Sequence, residues 1–325
     1  MTEPGSSRRD FIKRSSKAGI AVLTAGGIGF WLRSRSEHPQ QELSASGVRD
    51  YRVDVSPQIP DMVVASGGSP EEITKAAVNG FGGMETFVSR GDVVVLKPNI
   101  GWDRVPQQAA NTNPEVVKTV AELCFNAGAK EVVVTDVSCN EARRCFRRSG
   151  IAKAAESVGA TVILPEERKF RDIRINGEAL SVWPVFTPVI EADKIINLPI
   201  LKHHNLARAT MAMKNWYGML GGRRNQLHQN IDVSIADLSS FLRPTLTLLD
   251  AYRILMTNGP QGGNLEDVKL AKTLIASTDP IAVDAYGATF LDLEVDQLPF
   301  ITIGHERGLG NKNYQELNIE RVDLT

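Results

Sequence analysis

Histidine and lysine side chains gather in the stretch between positions 195 and 232, where we expect the chemistry of this chain to lie. The stretch contains three of the five histidines and two lysines that each precede a polar residue: His203, His204, His228, Lys202 and Lys214. Imidazoles exchange protons near neutral pH and bind metals, whereas lysine ammonium groups bind anions. The residue types therefore favour acid–base or metal chemistry on an anionic molecule.

The catalytic hypothesis rests on Lys202, His203 and His204, which directly follow the apolar run 195–201. In open α/β sheets ligands collect beyond the carboxyl ends of the strands, so these three residues are predicted to be catalytic. If the chain is still extended there, Lys202 and His204 share one face and His203 points to the other. If the strand ends at Lys202, both imidazoles can turn inward.

A metal site in this chain would need ligands from several segments. The metal hypothesis takes the three histidines of the stretch together with two aspartates that end predicted strands: His203, His204, His228, Asp136 and Asp250. Their spacing matches no zinc signature. The alternative is one functional histidine and one that hydrogen-bonds the backbone.

A second set of residues is predicted to bind an anion or a cofactor. It combines lysines, asparagines and two glycines of the loop 258–263: Lys97, Asn99, Lys214, Asn215, Gly259 and Gly262. The run 209–220 has the apolar spacing of a helix, with Lys214 on its polar face. The pair Arg223-Arg224 follows two glycines, which lets guanidinium groups and backbone approach a phosphate or carboxylate.

The elements that must position these residues alternate between strand and helix. Apolar runs predict strands at 92–96, 131–135, 160–164, 193–201, 245–249 and 273–276. Cap residues such as Ser69, Asn113 and Asp279, each followed by proline, predict the starts of helices. Further helical spacing covers 141–158, and a hairpin with its turn at Asn176-Gly177 is predicted in 168–184.

This alternation predicts an α/β fold with a mainly parallel sheet flanked by helices. Four residues are predicted to lie in the core of the sheet: Leu96, Val133, Ile196 and Leu248. Because parallel strands end at one edge, we expect an active-site cleft at their carboxyl ends. The polar residues that follow the strands are expected to line it.

Composition and cysteine content narrow the class of protein. The formal net charge of −1 argues against a nucleic-acid binder, which normally has a basic excess. Three cysteines form no C-x-x-C pair, so the sequence has no cysteine motif for an iron–sulfur cluster.

The amino-terminal region has the order of an export signal. Arg8-Arg9, followed by Asp10-Phe11-Ile12-Lys13 and the apolar run 18–32, resembles the twin-arginine signal. We predict a signal or anchor over 1–35, a polar linker over 36–50 and one α/β domain over 51–325. The resemblance implies the twin-arginine export machinery as a partner and a periplasmic location. Because no A-x-A follows the apolar core, an uncleaved anchoring helix remains the alternative.

Five motifs stand in order and carry a family resemblance. They read LKPNIG from Leu96, NTNPEVVKTV from Asn111, LPILKHHNLARATMAMKNWYGMLGG from Leu198, NGPQGG from Asn258 and ASTDPIAVDAYGA from Ala276. Together they resemble the family catalogued as domain of unknown function 362. Many members of that family carry ferredoxin-type cysteine motifs, which this chain lacks. The resemblance implies a fold region and a site, and no reaction.

Three functions follow from these observations. The first is an exported enzyme linked to redox chemistry, which acts on an anionic small molecule with a divalent metal or an inserted redox cofactor and a redox partner protein. The second is a non-catalytic periplasmic protein that binds an anion or metal. The third is an assembly partner of a respiratory complex. We favour the first, because histidine, lysine and aspartate residues recur at predicted strand ends.

Overall fold

Twelve strands and seven α-helices occur among residues 48–325, the part of the chain that the computed structural model describes. The strands are β1 (Met62–Ser66), β2 (Val93–Pro98), β3 (Glu131–Thr135), β4 (Thr161–Ile163), β5 (Phe170–Arg174), β6 (Val182–Phe186), β7 (Lys194–Leu198), β8 (Ile200–His204), β9 (Arg208–Thr210), β10 (Leu246–Leu255), β11 (Val268–Ser277) and β12 (Ile319–Asp323). The α-helices are α1 (Pro70–Asn79), α2 (Pro114–Asn126), α3 (Ala142–Arg148), α4 (Ile151–Glu156), α5 (Ile231–Phe241), α6 (Pro280–Ala288) and α7 (Pro299–Glu306). The predicted signal and most of the predicted linker lie outside the described residues.

One mixed and mostly parallel sheet forms the centre of this region. Its strands follow the order β12-β1-β11-β10-β7-β2-β3-β4, and β8 and β9 extend it beside β10. Strands β7, β2, β3 and β4 are parallel to one another, whereas β11 runs antiparallel to both of its neighbours. The predicted α/β class with a mainly parallel sheet is confirmed.

Side chains alternate between two apolar layers, one on each face of the sheet. Within β2, Val94 and Leu96 pack with α1 and α2, while Val95 between them packs on the opposite face with the layer that contains α5, α6 and α7. All four residues predicted for the core of the sheet are at least 95% buried: Leu96, Val133, Ile196 and Leu248. This two-sided burial explains the near-continuous apolar runs of the central strands.

The predicted helix starts are stabilised by their cap side chains. Ser69 Oγ accepts the amide of Glu72, whose carboxylate accepts the amide of Ser69 in return, which makes a capping box at α1. Asn113 Oδ1 accepts the amide of Glu115 at α2. Asp279 accepts two amides at the start of α6. These caps leave fewer unpaired backbone donors at the amino-terminal ends of the three helices.

Several predicted boundaries were wrong for identifiable reasons. The helix predicted over 141–158 is two helices, α3 and α4, because Gly150 with φ 77° breaks it. The predicted hairpin exists as β5 and β6, with Asn176 at φ 58° opening a longer connection. Strands β10 and β11 are ten residues each because they pair as a hairpin well beyond the segments predicted for them.

Within residues 48–325 no helix combines the length and the apolar character needed to cross a bilayer.

Candidate functional site

A break at Pro199 opens the sheet at the carboxyl ends of its central strands. Strand β7 pairs with β2 up to Leu198, and after Pro199 the chain continues as β8, which pairs with β10 and β9 but not with β2. Proline has no amide hydrogen to donate to a ladder, so the pairing with β2 ends there. The gap between the ends of β2 and β8 becomes the floor of a cavity.

This cavity has a volume of about 410 Å³. Seven of the residues predicted for the site line it: Asn99, Asp136, Lys202, His204, Lys214, Asn215 and His228. Further lining residues, absent from the predicted set, include Gly101, Trp102, Cys139, Tyr217, Gly218 and Arg224. The lining comes from the ends of β2, β3 and β8, from residues after β9, and from the β10–β11 loop.

An ion pair lies directly beneath the cavity. Lys97 at the end of β2 is fully buried, and its Nζ lies 2.6 Å from Oδ1 of Asp136, which follows β3. The other carboxylate oxygen of Asp136 accepts the amide of Ile100 at 2.6 Å. Lys97 also donates to Asn215 Oδ1. Burial lowers the pKa of Lys97, and the Asp136 carboxylate opposes this effect.

Gly218 makes room for this ion pair. A Cβ at position 218 would lie 1.9 Å from Asp136 Oδ1 and 2.4 Å from Lys97 Nζ. The backbone of Gly218 also accepts the amide of Val137 at 2.8 Å. The glycine is therefore required by space alone, because its φ of −76° suits any residue.

Side-chain amides replace backbone pairing where β2 and β8 separate. Asn99 Oδ1 accepts Lys202 Nζ at 3.2 Å, and its Nδ2 donates to Asn215 Oδ1 at 3.1 Å. Lys202 Nζ also donates to the carbonyl of Ala110 at 2.5 Å. Burial, assisted by the cations of Lys214 and Lys97, lowers the pKa of Lys202 to about 7. The amino group of Lys202 and the side-chain amide of Asn99 are therefore held in place before any ligand binds.

The helix predicted over 209–220 is not an α-helix in the structure. Strand β9 ends at Thr210, and a short 3₁₀ helix, Met213–Met219, carries Lys214, Asn215 and Tyr217. The carboxylate of Asp284 in α6 accepts the amides of Ala212 and Met213, at 2.6 and 3.0 Å. This long-range cap sets the start of the turn, and it cannot be found from local periodicity.

Lys214 projects into the cavity from this turn. Its side chain is 7% exposed, and its Nζ lies 4.3 Å from the centroid of the Tyr217 ring. Among residues 48–325 no hydrogen-bond acceptor or carboxylate contacts this Nζ. Burial lowers the pKa of Lys214 to about 8, and the cation of Arg224 lowers it as well.

His204 faces the cavity with a fixed tautomer. Its Nδ1 accepts the amides of Leu206 and Ala207, at 3.1 and 3.2 Å, so the ring proton sits on Nε2. Burial, assisted by the cations of Lys214 and Lys202, lowers the pKa of His204 to about 2. The ring is therefore neutral at physiological pH, and it can donate a hydrogen bond but has no free lone pair for a metal.

His228 presents the opposite tautomer. Its Nδ1 lies 3.3 Å from the carbonyl of Asn225, which can only accept, so the proton is on Nδ1 and the lone pair is on Nε2. Its ring stacks against that of His204 at 6.3 Å between centroids. Burial and then the cation of Lys214 lower its pKa. A neutral His228 is thus able to accept a proton at Nε2.

His203 and two loop glycines lie outside the cavity lining. In β8, Lys202 and His204 share one face and His203 points to the other, which is the extended alternative of the sequence interpretation. His203 Nδ1 accepts the amide of Gly259 at 3.1 Å, where a Cβ would meet the carbonyl of His203. Gly262, in the same loop as Gly259, packs against Leu255 at the end of β10. These contacts give His203 and Gly259 a structural role.

The five residues of the metal hypothesis are brought together only in part, because Asp136, His204 and His228 line the cavity whereas His203 and Asp250 do not. Asp250 lies inside β10 rather than at its end, and its carboxylate accepts the amides of Asn113 and Tyr252. Burial raises the pKa of Asp250 to about 6. Within residues 48–325, no three histidine, cysteine, aspartate or glutamate side chains are placed to hold one metal ion.

Arg224 closes the cavity on the side of His228. Its guanidinium donates to the carbonyls of Val137 and Ser138, at 2.7 and 2.6 Å, and so ties the loop before α5 to the segment after β3. The sequence signalled this residue through the Arg223-Arg224 pair. Cys139 is an exposed thiol of the lining, and no motif signalled it.

Comparison with known proteins identifies the family. A family model described as domain of unknown function (DUF362) matches residues 94–289, which is more than half of the chain. The chain belongs to this family. The match spans β2 to the end of α6, so it includes all of the elements that build the cavity. The resemblance drawn from the five sequence motifs is confirmed.

Individual proteins that resemble this chain share less than 30% of its sequence. A thylakoid-associated protein of Synechocystis is 28% identical over 244 residues, which is 70% of this chain and 72% of that protein. A crystal structure from Thermotoga maritima, at TM-score 0.44 and 11% identity, covers 69% of this chain and 60% of its own. The lactate racemase apoprotein of Thermoanaerobacterium thermosaccharolyticum, at TM-score 0.40 and 11% identity, covers 73% and 58%. The chain thus spans about 60% of the length of these solved structures.

Proposed function

We propose that this protein is an enzyme that binds a small anionic molecule in the cavity and exchanges a proton with it. The observation that carries the proposal is an imbalance of charge. Lys202, Lys214 and Arg224 line the cavity, while its single carboxylate, Asp136, is already paired with Lys97. Removing ammonium groups from water without a counter-charge is costly, so the cavity favours an anion.

The polar groups of the cavity suit a carboxylate or a phosphate. Lys214 has donors free for a ligand, and the Nε2 proton of His204 supplies a neutral donor beside it. A volume of about 410 Å³ lies within the range of roughly 300–1,000 Å³ typical of small-molecule sites. Half-buried Trp102 adds an apolar surface. The ligand is therefore a small molecule with at least one anionic group.

His228 is the proton-exchanging group of the proposal. Its Nε2 lone pair is free, whereas Nδ1 of His204 is occupied by two backbone amides. Burial, and then the cations of Lys214 and Arg224, lower the pKa of His228, which favours the neutral form that acts as a general base. The catalytic role predicted for His204 thus becomes a binding role, and His228 takes the acid–base role.

Calorimetry with inorganic phosphate and small carboxylates tests the binding step. Lys214→Met should weaken binding about tenfold to a hundredfold, because a charge-assisted hydrogen bond contributes roughly 1.5–3 kcal/mol. Lys214→Arg keeps the cation and should retain most of the affinity. Lys153→Met, which removes an exposed lysine of α4, is the control and should change nothing. Equal affinities for Lys214→Met and the unmodified protein would refute the anion site.

A second experiment separates catalysis from binding. His228→Gln should leave phosphate affinity within about threefold, since it removes a proton acceptor and no cation. The same variant should lose exchange of carbon-bound protons of a bound carboxylate with deuterated water, followed by NMR. A chain that binds anions but shows no such exchange in any carboxylate would be a binding protein rather than an enzyme.

Export through the twin-arginine route is also part of the proposal. Arg8-Arg9 and the apolar run 18–32 support it. Replacing both arginines by lysine should abolish periplasmic accumulation in cell fractions. Undiminished periplasmic protein would remove the twin-arginine assignment without touching the cavity.

A further inference from the structure

The three lysines at the site differ in how their amino groups are engaged. Lys97 Nζ contacts Asp136 Oδ1, Asn215 Oδ1 and the carbonyl of Pro98. Lys202 Nζ donates to Asn99 Oδ1 and to the carbonyl of Ala110.

Within the described part of the chain, Lys214 Nζ forms no hydrogen bond or ion pair, and it lies 4.3 Å from the centroid of the Tyr217 ring. Its amino group is therefore the one that a ligand can reach without first breaking a hydrogen bond.

The surroundings of Lys214 favour the neutral amine. Lys214 is only 7% exposed, and the cation of Arg224, which lines the same cavity, disfavours a second positive charge there. With a pKa of about 8, half of the amine is neutral at pH 8. An ordinary lysine of pKa 10.5 is neutral in roughly one molecule in 300 at that pH, so the nucleophilic fraction is about a hundredfold larger.

We propose that Lys214 is an amine nucleophile that forms a Schiff base with a 2-oxo carboxylate bound in this cavity. The proposal rests on the proposed anion site, because Lys202 and Arg224 hold the carboxylate while Nζ of Lys214 meets the adjacent carbonyl. A lysine that is desolvated beside other cations is the arrangement that activates an amine for this reaction. His228, which also contacts the Tyr217 ring, supplies the proton acceptor.

The step balances without any oxidant or reductant. The lone pair of neutral Nζ forms a bond to the carbonyl carbon, and the π pair of the C=O bond moves to oxygen. The nitrogen, now positively charged, releases one proton to Nε2 of His228, which passes it to that oxygen and so completes a neutral carbinolamine. The nitrogen lone pair then forms the C=N bond as the hydroxyl group leaves, and the second N–H proton passes through the same Nε2 to the departing oxygen. The products are one neutral imine and one water molecule, and His228 ends as it began.

Borohydride trapping tests the proposal on the full-length protein. The chain is incubated at pH 8 with pyruvate as the probe, reduced, and analysed by intact mass and peptide mapping. We expect one reduced pyruvate adduct per chain, located on Lys214. Acetone, which lacks the carboxylate, and lactate, which lacks the carbonyl, should give no adduct there. Inorganic phosphate should compete with pyruvate and suppress the adduct.

Two variants complete the test. Lys214→Arg keeps the cation and should lose the adduct while it retains phosphate binding, whereas Lys153→Arg should leave the adduct unchanged. If Lys214→Arg does not fold, the peptide map of the unmodified protein still decides. Phosphate binding without an adduct, or adducts spread over exposed lysines, would overturn the Schiff base and leave the anion site intact. An adduct on Lys214 without phosphate binding would instead refute the anion site.

Discussion

Gly218→Ala provides a direct test of the buried ion pair beneath the cavity. The new Cβ would lie 1.9 Å from Asp136 Oδ1 and 2.4 Å from Lys97 Nζ, although a carbon–oxygen contact needs about 3.3 Å. The pair must therefore shift by more than 1 Å. Both partners are at least 98% buried, so water cannot solvate either charge when the pair is displaced.

The cost follows from two effects. Overpacking an interior site costs about 1–3 kcal/mol, and losing one partner of a buried ion pair costs about 3–5 kcal/mol. Because the pair is displaced rather than removed, we expect a loss of about 3 kcal/mol in the free energy of unfolding. For a chain of 325 residues, with an entropy of unfolding of about 2.1 cal/mol/K per residue, that corresponds to a fall of about 4–5 °C in Tm.

Gly101→Ala is the matched control. Gly101 lines the same cavity, but a Cβ there would lie 3.6 Å from Asn99 Oδ1 and 3.8 Å from Cys139 Sγ, which is ordinary contact. Calorimetric scans of both variants should show a large loss for Gly218→Ala and a change within about 1 kcal/mol for the control. Equal effects, or a Gly218→Ala protein as stable as the original, would refute the reasoning on the ion pair.

Three further predictions concern pH and thiol reactivity. Phosphate affinity should be highest below pH 7, fall about tenfold between pH 7 and 8 and fall more steeply above pH 8 in calorimetric titrations, because Lys202 and Lys214 lose their protons at pKa values of about 7 and 8. Burial raises the pKa of Asp284 from 3.8 to about 7, so the folded state takes up a proton that the unfolded state releases. The free energy of unfolding should therefore fall as pH rises from about 4 to 7. Asp284→Asn should flatten that slope in denaturant titrations. Cys139 should react with a thiol reagent in the native protein and be protected by phosphate, whereas buried Cys124 should react only after unfolding.

The sheet and one wall of the cavity could be predicted because their signals are local. Apolar runs ending in polar residues marked β2, β3 and the segment that forms β7 and β8, and the two-residue period of a strand gave Lys202 and His204 on one face as one of two alternatives. The position of Asp250 was missed because the length of β10 depends on its pairing with β11. No local sequence pattern predicts that two backbone amides donate to Nδ1 of His204.

The second wall depends on contacts that span long stretches of sequence. Asp284 caps the turn of Lys214 across 70 residues or more, and Arg224 reaches the carbonyl of Val137 across 87. Apolar spacing in 209–220 predicted an α-helix because such spacing shows only which side chains are buried. The 3₁₀ helix buries these side chains equally well. A single sequence carries no signal for such partners.

The break at Pro199 also has a consequence for how such a protein can diversify. Since the floor of the cavity belongs to the sheet and the opposite wall to the turn that holds Lys214, the two are built from separate segments. Substitutions in the turn alter the ligand-facing groups without disturbing a strand register. Duplicated copies of this chain can therefore acquire new ligand preferences through one short segment, while the pairing of the central strands stays unchanged.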